Sequence, residues 1–272
     1  MGITNNYFLF NDDLISSNCF DEEELLRGTS LYEVIKIKEE VPLFLEKHLE
    51  RFHNSAKLIN VKPWISDSKI KESLNKLIKE NKVKEGSIKF VFNFEKNNFI
   101  VFFEEKNFPA EQQYKEGIDV ALYNRERINP NAKVLNIEFR RDLDKFIKEK
   151  NIFEAILVDK NKDVTEGSKS NVFIVKSNKL ITPPVQDVLP GTTRRTIFEI
   201  CKELNIELIE EKINCSSIGN IDGMFISSTP FDILPVKKID NIVLNSSENQ
   251  LIKSIMTKFN EKVKKYIKFN LK

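Results

Sequence analysis

Alternation of apolar and polar residues predicts several strands in the first half of the chain. Residues 31–38 (LYEVIKIK) alternate with the two-residue period of a half-buried strand. Two further apolar runs, at 87–94 and 99–105, flank a polar turn at 95–98 and predict a hairpin. A short run at 118–123 has the composition of another strand. We therefore expect this part of the chain to contain a sheet.

Helical spacing predicts helices between these strands. After Pro42, residues suited to a buried face recur three and four positions apart, which is the period of an amphipathic helix. They are Leu45, His48, Leu49, Phe52, Ala56 and Ile59. Ser66 is placed to cap a helix over 67–80, because a serine hydroxyl accepts a hydrogen bond from the first turn. A third helix is predicted over 135–150.

Beyond residue 150 the pattern predicts a meander of strands and then further helices and strands. The predicted strands are 155–159, 164–167, 171–176, 180–183, 223–229 and 233–239, and the predicted helices are 193–204 and a terminal helix from residue 248. Pro130 disfavours regular structure in the polar segment around it. Helices around a largely antiparallel set of strands are typical of an α+β fold. We expect two domains, over residues 1–118 and 119–272.

Composition and charge exclude several classes of protein. The 272 residues are 40% hydrophobic and 31% charged, which is ordinary for a globular protein and argues against wholesale disorder. The 43 basic and 41 acidic residues give a net charge of +2, whereas a nucleic-acid binder usually shows a clear basic excess. The basic segment 262–272 is expected to be the solvated face of a helix. We therefore expect no nucleic-acid partner.

Targeting and redox signals favour the cytoplasm. Cys19, Cys201 and Cys215 show no paired spacing, so neither a disulfide framework nor a metal site is expected. The first residues lack the basic start and the apolar run of a signal peptide. No stretch approaches about 18 apolar residues, so we expect no membrane-spanning helix and no membrane partner.

Four short segments carry the candidate chemistry. They are KHLER at 47–51, NAKVLN at 131–136, VTEGSKSN at 164–171 and LPGTTR at 189–194. Each segment alone is weak evidence, but their order and separations together resemble the fold-type-IV pyridoxal-phosphate enzymes. This is the aminotransferase class IV family, which includes D-amino-acid transaminase, branched-chain aminotransferase and aminodeoxychorismate lyase. The likeness runs from about Arg27 to Val236.

The resemblance implies a fold, a cofactor and partners. It implies a fold like that of D-amino-acid aminotransferase, with a small N-terminal α/β domain and a larger C-terminal domain. Pyridoxal 5′-phosphate would lie at the interface of the two domains. Relatives complete each pocket by forming a homodimer, so a homodimer is expected. The expected substrates are an amino acid and a 2-oxo acid.

The resemblance also assigns a role to three charged residues. Lys133 would be the Schiff-base lysine, which must react as a free amine. Glu166 would lie against the pyridine nitrogen and keep it protonated, so that the ring accepts electrons from the substrate Cα. Arg51 would grip the phosphate with its guanidinium. Without the resemblance, Arg51 is predicted to be an exposed charged residue on a helix, and Glu166 is predicted to be a solvated residue of a hairpin.

Hydroxyl groups complete the expected cofactor site. Thr192 and Thr193 open a predicted helix, where free backbone N–H groups and two hydroxyls form an anion site. The alternative for this segment is a simple N-cap without a ligand. Leu189 corresponds to the apolar residue that packs on the cofactor ring in relatives. Ser228 and Thr229 correspond to hydroxyls near the phosphate and substrate, with a strand-end turn as the alternative.

Substrate recognition is the part of the sequence that departs from relatives. Tyr32 corresponds to an aromatic pocket residue, or else is a core tyrosine. Arg127 is a candidate for binding a substrate carboxylate, or else is solvated. D-amino-acid transaminase has an arginine and a histidine in the loop that is FEKNNF here, at 94–99. Glu33 and Val34 replace the threonines of the lyase relatives.

The sequence therefore supports one activity and leaves two alternatives open. The first is a pyridoxal-phosphate aminotransferase that transfers an amino group between an amino acid and a 2-oxo acid, with Lys133 as general base and acid. The second is aminodeoxychorismate lyase, which would produce p-aminobenzoate and pyruvate for folate synthesis. The third is a non-catalytic binding protein that retains the fold.

Overall fold

The computed structural model of the chain describes residues 3–26, 28–105 and 108–271. Its strands are β1 (Ile3–Phe10), β2 (Asp13–Ser16), β3 (Ser30–Lys38), β4 (Val41–Pro42), β5 (Glu85–Asn93), β6 (Asn98–Glu104), β7 (Ile118–Asn124), β8 (Glu154–Val158), β9 (Asp163–Gly167), β10 (Asn171–Lys176), β11 (Lys179–Thr182), β12 (Leu208–Glu210), β13 (Ile213–Asn214), β14 (Gly223–Ser228), β15 (Asp232–Ile239) and β16 (Ile242–Val243). Its helices are α1 (Glu23–Leu26), α2 (Leu45–Leu58), α3 (Asp67–Glu80), α4 (Glu111–Glu116), α5 (Ile137–Lys150), α6 (Thr192–Glu203) and α7 (Gln250–Asn270).

The chain forms two compact units. The first contains Met1–Asn107, Ala132–Leu135 and Val263–Lys272, and the second contains Phe108–Asn131 and Asn136–Lys262. The segment Ala132–Leu135 thus belongs to the first unit, although its neighbours in sequence belong to the second. The domain boundary expected between residues 118 and 119 stays a prediction.

An antiparallel sheet forms the first unit. Its strand order is β2-β1-β6-β5-β3-β4, and every neighbouring pair is antiparallel. One side of the sheet packs against α2 and α3 through buried residues such as Leu31 and Ile35 of β3, Phe52 of α2 and Leu74 of α3. Successive strand residues point to opposite sides, so Tyr32 contacts a second apolar cluster on the other side of the sheet.

The segment Ala132–Leu135 is held against β3 by its backbone. The Tyr32 N–H donates to the Lys133 carbonyl at 3.2 Å, and the Leu135 N–H donates to the Ser30 carbonyl at 2.8 Å. A bridge pairs Leu31 with Val134 between these bonds. The segment therefore extends the sheet locally, and Lys133 is fixed by main-chain pairing.

The second unit contains a ten-stranded mixed sheet. The path of strands runs β12-β11-β10-β14-β15-β7-β8-β9-β13, with β16 paired to β15. The pairs β15–β7, β7–β8 and β11–β12 are parallel, and the other pairs are antiparallel. Ser177 and Asn178 have φ of 50° and 59°, the left-handed conformation that a two-residue hairpin turn requires.

Two predicted helix starts are corrected by local hydrogen bonds. The helix predicted from residue 135 begins at Ile137, because Leu135 pairs with β3 and the Asn136 side chain caps the helix by accepting from the Phe139 N–H at 3.0 Å. The terminal helix begins at Gln250 rather than at residue 248. There the Asn249 side chain accepts from the first N–H groups of the helix.

Within the described residues, no helix is long and apolar enough to cross a membrane.

The Ser66 cap predicted for α3 is confirmed, because the Ser66 hydroxyl accepts from the Lys69 N–H at 3.3 Å.

Replacing Leu74 by Ala should lower the free energy of unfolding by about 2–5 kcal/mol, because the side chain is completely buried between α3 and the sheet. Urea denaturation followed by circular dichroism measures this loss. The matched control is Lys71→Ala on the exposed side of the same helix, which should change stability by about 0.5 kcal/mol or less. Equal losses in the two variants would contradict this packing.

Candidate functional site

The predicted site residues fall into two groups, one in each unit. Three belong to the first unit: Tyr32, Arg51 and Lys133. Seven belong to the second unit: Arg127, Glu166, Leu189, Thr192, Thr193, Ser228 and Thr229. Each group is held by contacts within its own unit.

Lys133 and Tyr32 are brought together in the first unit. The Lys133 ammonium lies 4.7 Å from the centroid of the Tyr32 ring, within the range of a cation–π contact. The Lys133 N–H donates to the Ser55 hydroxyl of α2 at 3.1 Å, while the Lys133 carbonyl accepts from β3. The lysine is half-buried, and its backbone is held from two directions.

Arg51 lies in a buried charged cluster on the helix side of β3. Its Nε and Nη2 donate to the two carboxylate oxygens of Glu33 at 2.8 and 2.6 Å. His48 Nδ1 lies 2.8 Å from Glu33 Oε2. Arg51 is 5% exposed and Glu33 is fully buried, so Arg51 is a fixed interior group and not an exposed helix charge. The guanidinium has five N–H donors, and Nη1 is the nitrogen that Glu33 does not engage.

The electrostatics of this cluster fix its charge state. Burial alone would raise the pKa of Glu33, but the charge and hydrogen bonds of Arg51 outweigh burial and lower that pKa to about 2. Burial lowers the pKa of His48, and the positive charges of Arg51 and Lys133 lower it further against the opposing effect of Glu33. At neutral pH the cluster therefore consists of an ionised carboxylate, a guanidinium and a neutral imidazole.

Sequence reasoning did not find Glu33 as a partner of Arg51. The signal was present, because Glu33 occupies an apolar position of a well-patterned strand, between Leu31 and Ile35. A carboxylate at such a position requires a buried partner of opposite charge.

Glu166 is the centre of the group in the second unit. It is 2% exposed, and one carboxylate oxygen accepts from the Leu189 N–H at 2.9 Å. The other oxygen accepts from Arg127 Nε at 2.7 Å. Glu166 is therefore a buried acid held by two donors, and not a solvated hairpin residue.

Arg127 is engaged on three sides. Besides Glu166, it donates to the Ser168 carbonyl at 3.1 Å, and its guanidinium lies 5.0 Å from the centroid of the Phe139 ring. The side chain is 20% exposed, so it is not the solvated linker residue of the alternative interpretation. Its predicted contact with a substrate carboxylate stays a prediction, and its contacts in the structure orient Glu166.

A second buried acid supports the turn after Glu166. Glu154 is 2% exposed and accepts a hydrogen bond from the Ser168 hydroxyl, while Arg140 donates to the Ser168 carbonyl at 2.6 Å. Burial raises the pKa of the Glu154 carboxyl. The turn between β9 and β10 is thereby tied to the interior through Ser168.

The N-terminus of α6 carries the predicted hydroxyl groups. Thr192 and Thr193 are 3% and 7% exposed, and the Thr192 hydroxyl lies 3.3 Å from that of Thr229. Gly191 precedes the helix, where a Cβ would lie 2.0 Å from the Asn171 side-chain oxygen. Any larger residue at position 191 would therefore require the Asn171 side chain to move. The geometry therefore suits an anion at the first N–H groups.

Ser228 and Leu189 are the remaining members of this group. The Ser228 hydroxyl donates to the Lys169 carbonyl at 2.8 Å, and Leu189 is half-buried. The Lys169 ammonium lies 3.4 Å from Asp144 Oδ1 and is mostly exposed.

Comparison with known proteins identifies relatives along most of the chain. The family model described as amino-transferase class IV matches residues 30–239. A D-alanine aminotransferase from Bacillus licheniformis is 27% identical over 267 residues, covering 92% of this chain and 94% of that protein. An aminodeoxychorismate lyase from Bacillus subtilis (strain 168) is 25% identical over 266 residues, covering 89% of this chain and 88% of that protein.

Solved structures show the same fold. The branched-chain aminotransferase of the thermophilic archaeon Thermoproteus uzoniensis superposes with a TM-score of 0.85 at 22% identity, covering 97% of this chain and 98% of that chain. A branched-chain amino acid aminotransferase solved with pyridoxamine 5′-phosphate superposes with a TM-score of 0.86 at 20% identity, covering 97% of this chain and 96% of that chain. The α+β fold predicted from the sequence is therefore confirmed.

Replacing Glu33 by Gln should leave the Arg51 guanidinium buried without its carboxylate, a change that typically costs about 3–5 kcal/mol of stability. The folded-state pKa of about 2 lies below the ordinary 4.5, so the stabilisation is present above pH 4.5 and is lost as the pH falls towards 2. The unfolding free energy of the variant should therefore depend less on pH in that window. Urea titrations between about pH 2 and pH 7 measure it.

The control for this variant is Glu50→Gln, a change at an exposed position of the same helix. It should preserve the wild-type dependence of stability on pH. A wild-type pH dependence in the Glu33 variant would contradict the ionised buried pair.

Proposed function

The chain belongs to the aminotransferase class IV family, and we propose that it is a pyridoxal 5′-phosphate-dependent aminotransferase acting between an amino acid and a 2-oxo acid. The observation that carries this proposal is the placement of Lys133. Its amine lies against the Tyr32 ring while its backbone is fixed on both sides. A fixed amine beside an aromatic ring suits reaction with the cofactor aldehyde.

The residues present fit the other parts of the cofactor. Glu166, buried and held by Arg127 and the Leu189 N–H, fits a protonated pyridine nitrogen. Thr192 and Thr193, buried at a helix N-terminus, fit a phosphate. We assign these three residues to cofactor binding.

Four further residues are assigned to the same cofactor. Arg51 would contact the phosphate, and Glu33 holds its guanidinium in one orientation. Thr229 would add its hydroxyl to that of Thr192. Ser228 would lie beside it at the end of β14, and Leu189 would pack on the ring.

The protein groups have distinct chemical tasks. When bound, pyridoxal phosphate supplies an electron sink that stabilises negative charge at the substrate Cα. Lys133 Nζ would take the proton from that carbon as general base and deliver it as general acid to the C4′ position of the bound cofactor. Glu166 would accept a hydrogen bond from the protonated pyridine nitrogen of the bound cofactor. Tyr32 orients the Lys133 amine and forms one wall for the substrate.

Arg127 is assigned to positioning rather than to the substrate. Its contacts with Glu166 and with the Ser168 carbonyl fix the guanidinium, and binding a substrate carboxylate would require breaking them. We propose that Arg127 orients the Glu166 carboxylate through its hydrogen bond.

We further propose that the protein works in the cytoplasm as a homodimer, as its family implies. The amino donor is best found by screening, because the relatives carry the names of different activities. Conversion of aminodeoxychorismate to p-aminobenzoate without an added 2-oxo acid would favour the lyase instead.

Replacing Lys133 by Ala should abolish amino transfer and the visible absorbance of bound cofactor, because the covalent attachment point is removed. Absorbance spectroscopy of the purified protein with added pyridoxal phosphate, followed by a donor screen, measures both effects. Lys145→Ala, which changes an exposed lysine of α5, is the control and should retain both properties. Full activity in the Lys133 variant would exclude the proposed role.

Replacing both Thr192 and Thr193 by Val should weaken cofactor binding about 10²- to 10⁴-fold. Two hydroxyl donors to a charged phosphate are lost, and hydrogen bonds to charged groups contribute about 1.5–3 kcal/mol. The dissociation constant of pyridoxal phosphate, measured by absorbance or by fluorescence, tests this. Thr257→Val, at an exposed position of α7, should leave the affinity unchanged. Unchanged affinity in the double variant would remove these residues from the phosphate site.

A further inference from the structure

A buried lysine lies on the same side of the first-unit sheet as Tyr32. Lys89 of β5 is 3% exposed. In the antiparallel register, Val34 is opposite Lys89 and Tyr32 is opposite Val91, so Tyr32 and Lys89 are diagonal neighbours on the side away from α2. Burying an ammonium group costs several kcal/mol unless it is compensated. A lysine in the middle of a buried strand therefore calls for a specific explanation.

Two ammonium groups contact the same aromatic ring. Lys89 Nζ lies 4.4 Å and Lys133 Nζ lies 4.7 Å from the centroid of the Tyr32 ring. The two amines are therefore within about 9 Å of each other, the sum of those distances. Like charges within this distance repel each other, and an anion beside them is attracted to both.

The surroundings of Lys89 suit exchange of its anionic partner. Glu104 Oε1 lies 3.0 Å from Lys89 Nζ, but the Glu104 side chain is 28% exposed whereas that of Lys89 is 4% exposed. Ser87 is two residues before Lys89 and points to the same side of the sheet. Its hydroxyl is buried without a hydrogen-bond partner within the described residues. Unsatisfied buried polar atoms are rare, and this one favours a polar ligand or water nearby.

We propose that Lys89 binds a carboxylate of the substrate and so determines its specificity. This inference rests on the proposed function, since it takes the substrate nitrogen to lie at Lys133. A carboxylate paired with Lys89 Nζ at about 3 Å would be either the α-carboxylate of the substrate or the side-chain carboxylate of a dicarboxylic acid. Glu104 neutralises Lys89 before the substrate binds and competes with the incoming carboxylate.

The test is equilibrium binding of unreactive ligands. Isothermal titration calorimetry with glutarate, butyrate and neutral butyramide is performed on the wild type, Lys89→Met and Glu104→Gln. Lys89→Met should weaken binding of the acids about tenfold to a hundredfold, as expected for loss of a close charge pair, and should leave butyramide unchanged. Glu104→Gln should strengthen binding of the acids, because the competing charge is removed.

The pattern of changes distinguishes ligand binding from a structural role. If the pair of Lys89 and Glu104 only stabilises the fold, both variants should have a lower affinity for the acids and for butyramide alike. That result, or unchanged affinity for the acids in Lys89→Met, overturns the proposal. A larger loss for glutarate than for butyrate assigns Lys89 to a side-chain carboxylate, and equal losses assign it to the α-carboxylate. If Lys89→Met does not fold, the affinity of Glu104→Gln for the acids still decides. Stronger binding of the acids supports the role of Lys89, and weaker or unchanged binding overturns it.

Two controls separate this proposal from the assigned activity. Lys179→Met removes the lysine of an exposed pair with Glu207 and should bind all three ligands like the wild type. The titrations are performed with and without pyridoxal phosphate, and cofactor binding is measured separately by visible absorbance. Failure to bind the cofactor contradicts the proposed function. A bound cofactor together with unchanged affinity for carboxylates contradicts only the role of Lys89.

Discussion

Backbone pairing between the segment Ala132–Leu135 and strand β3 is the constraint on which the first-unit site depends. The bonds from the Tyr32 N–H to the Lys133 carbonyl and from the Leu135 N–H to the Ser30 carbonyl set the register. Val134 then packs with the helix-side core, and Lys133 projects to the side of Tyr32. A shift of one residue would exchange these positions and bury the amine among apolar side chains. Because main-chain groups set the position, the side chain of Lys133 can serve chemistry without also holding the segment in place.

Three buried ionic groups are each opposed by a charge of the other sign within their own unit. Glu33 faces Arg51, Glu166 faces Arg127, and Lys89 faces Glu104. Such pairs contribute little net stability, because desolvation offsets most of the Coulombic attraction. Their effect is to hold each charged group in one orientation before any ligand binds, which lowers the cost of ordering the site.

The sequence predicted regular elements well where one side of an element is buried and the other is not. The strand at 31–38 and the helix at 67–80 show clean periods, and both are present as β3 and α3. Strand β1 was not predicted, because Asn5 has φ of 71° and the register shifts between Thr4 and Leu9, which interrupts the alternation. The start of α5 was predicted too early, because the strand pairing of residues 132–135 depends on a distant partner that a local pattern does not contain.

The site was harder to predict from sequence than the fold, for a physical reason. Motifs identified residue types, but the charge state and orientation of a buried group depend on its partners in space.

Glu33 and Lys89 show what local information remains. Both lie in runs that are predicted as strands, and both charges are buried in the folded chain. A charge that persists within such a run is expensive unless tertiary structure compensates it, so it marks a position where another group must approach. On β3 that group is Arg51, which lies inside the same unit. On β5 the compensation by Glu104 is partly open to solvent, and the neighbouring amine of Lys133 adds further positive charge near the Tyr32 ring. Glu33 thus holds Arg51 in one orientation on the helix side of the sheet, and the Tyr32 side retains positive charge suited to an anionic ligand.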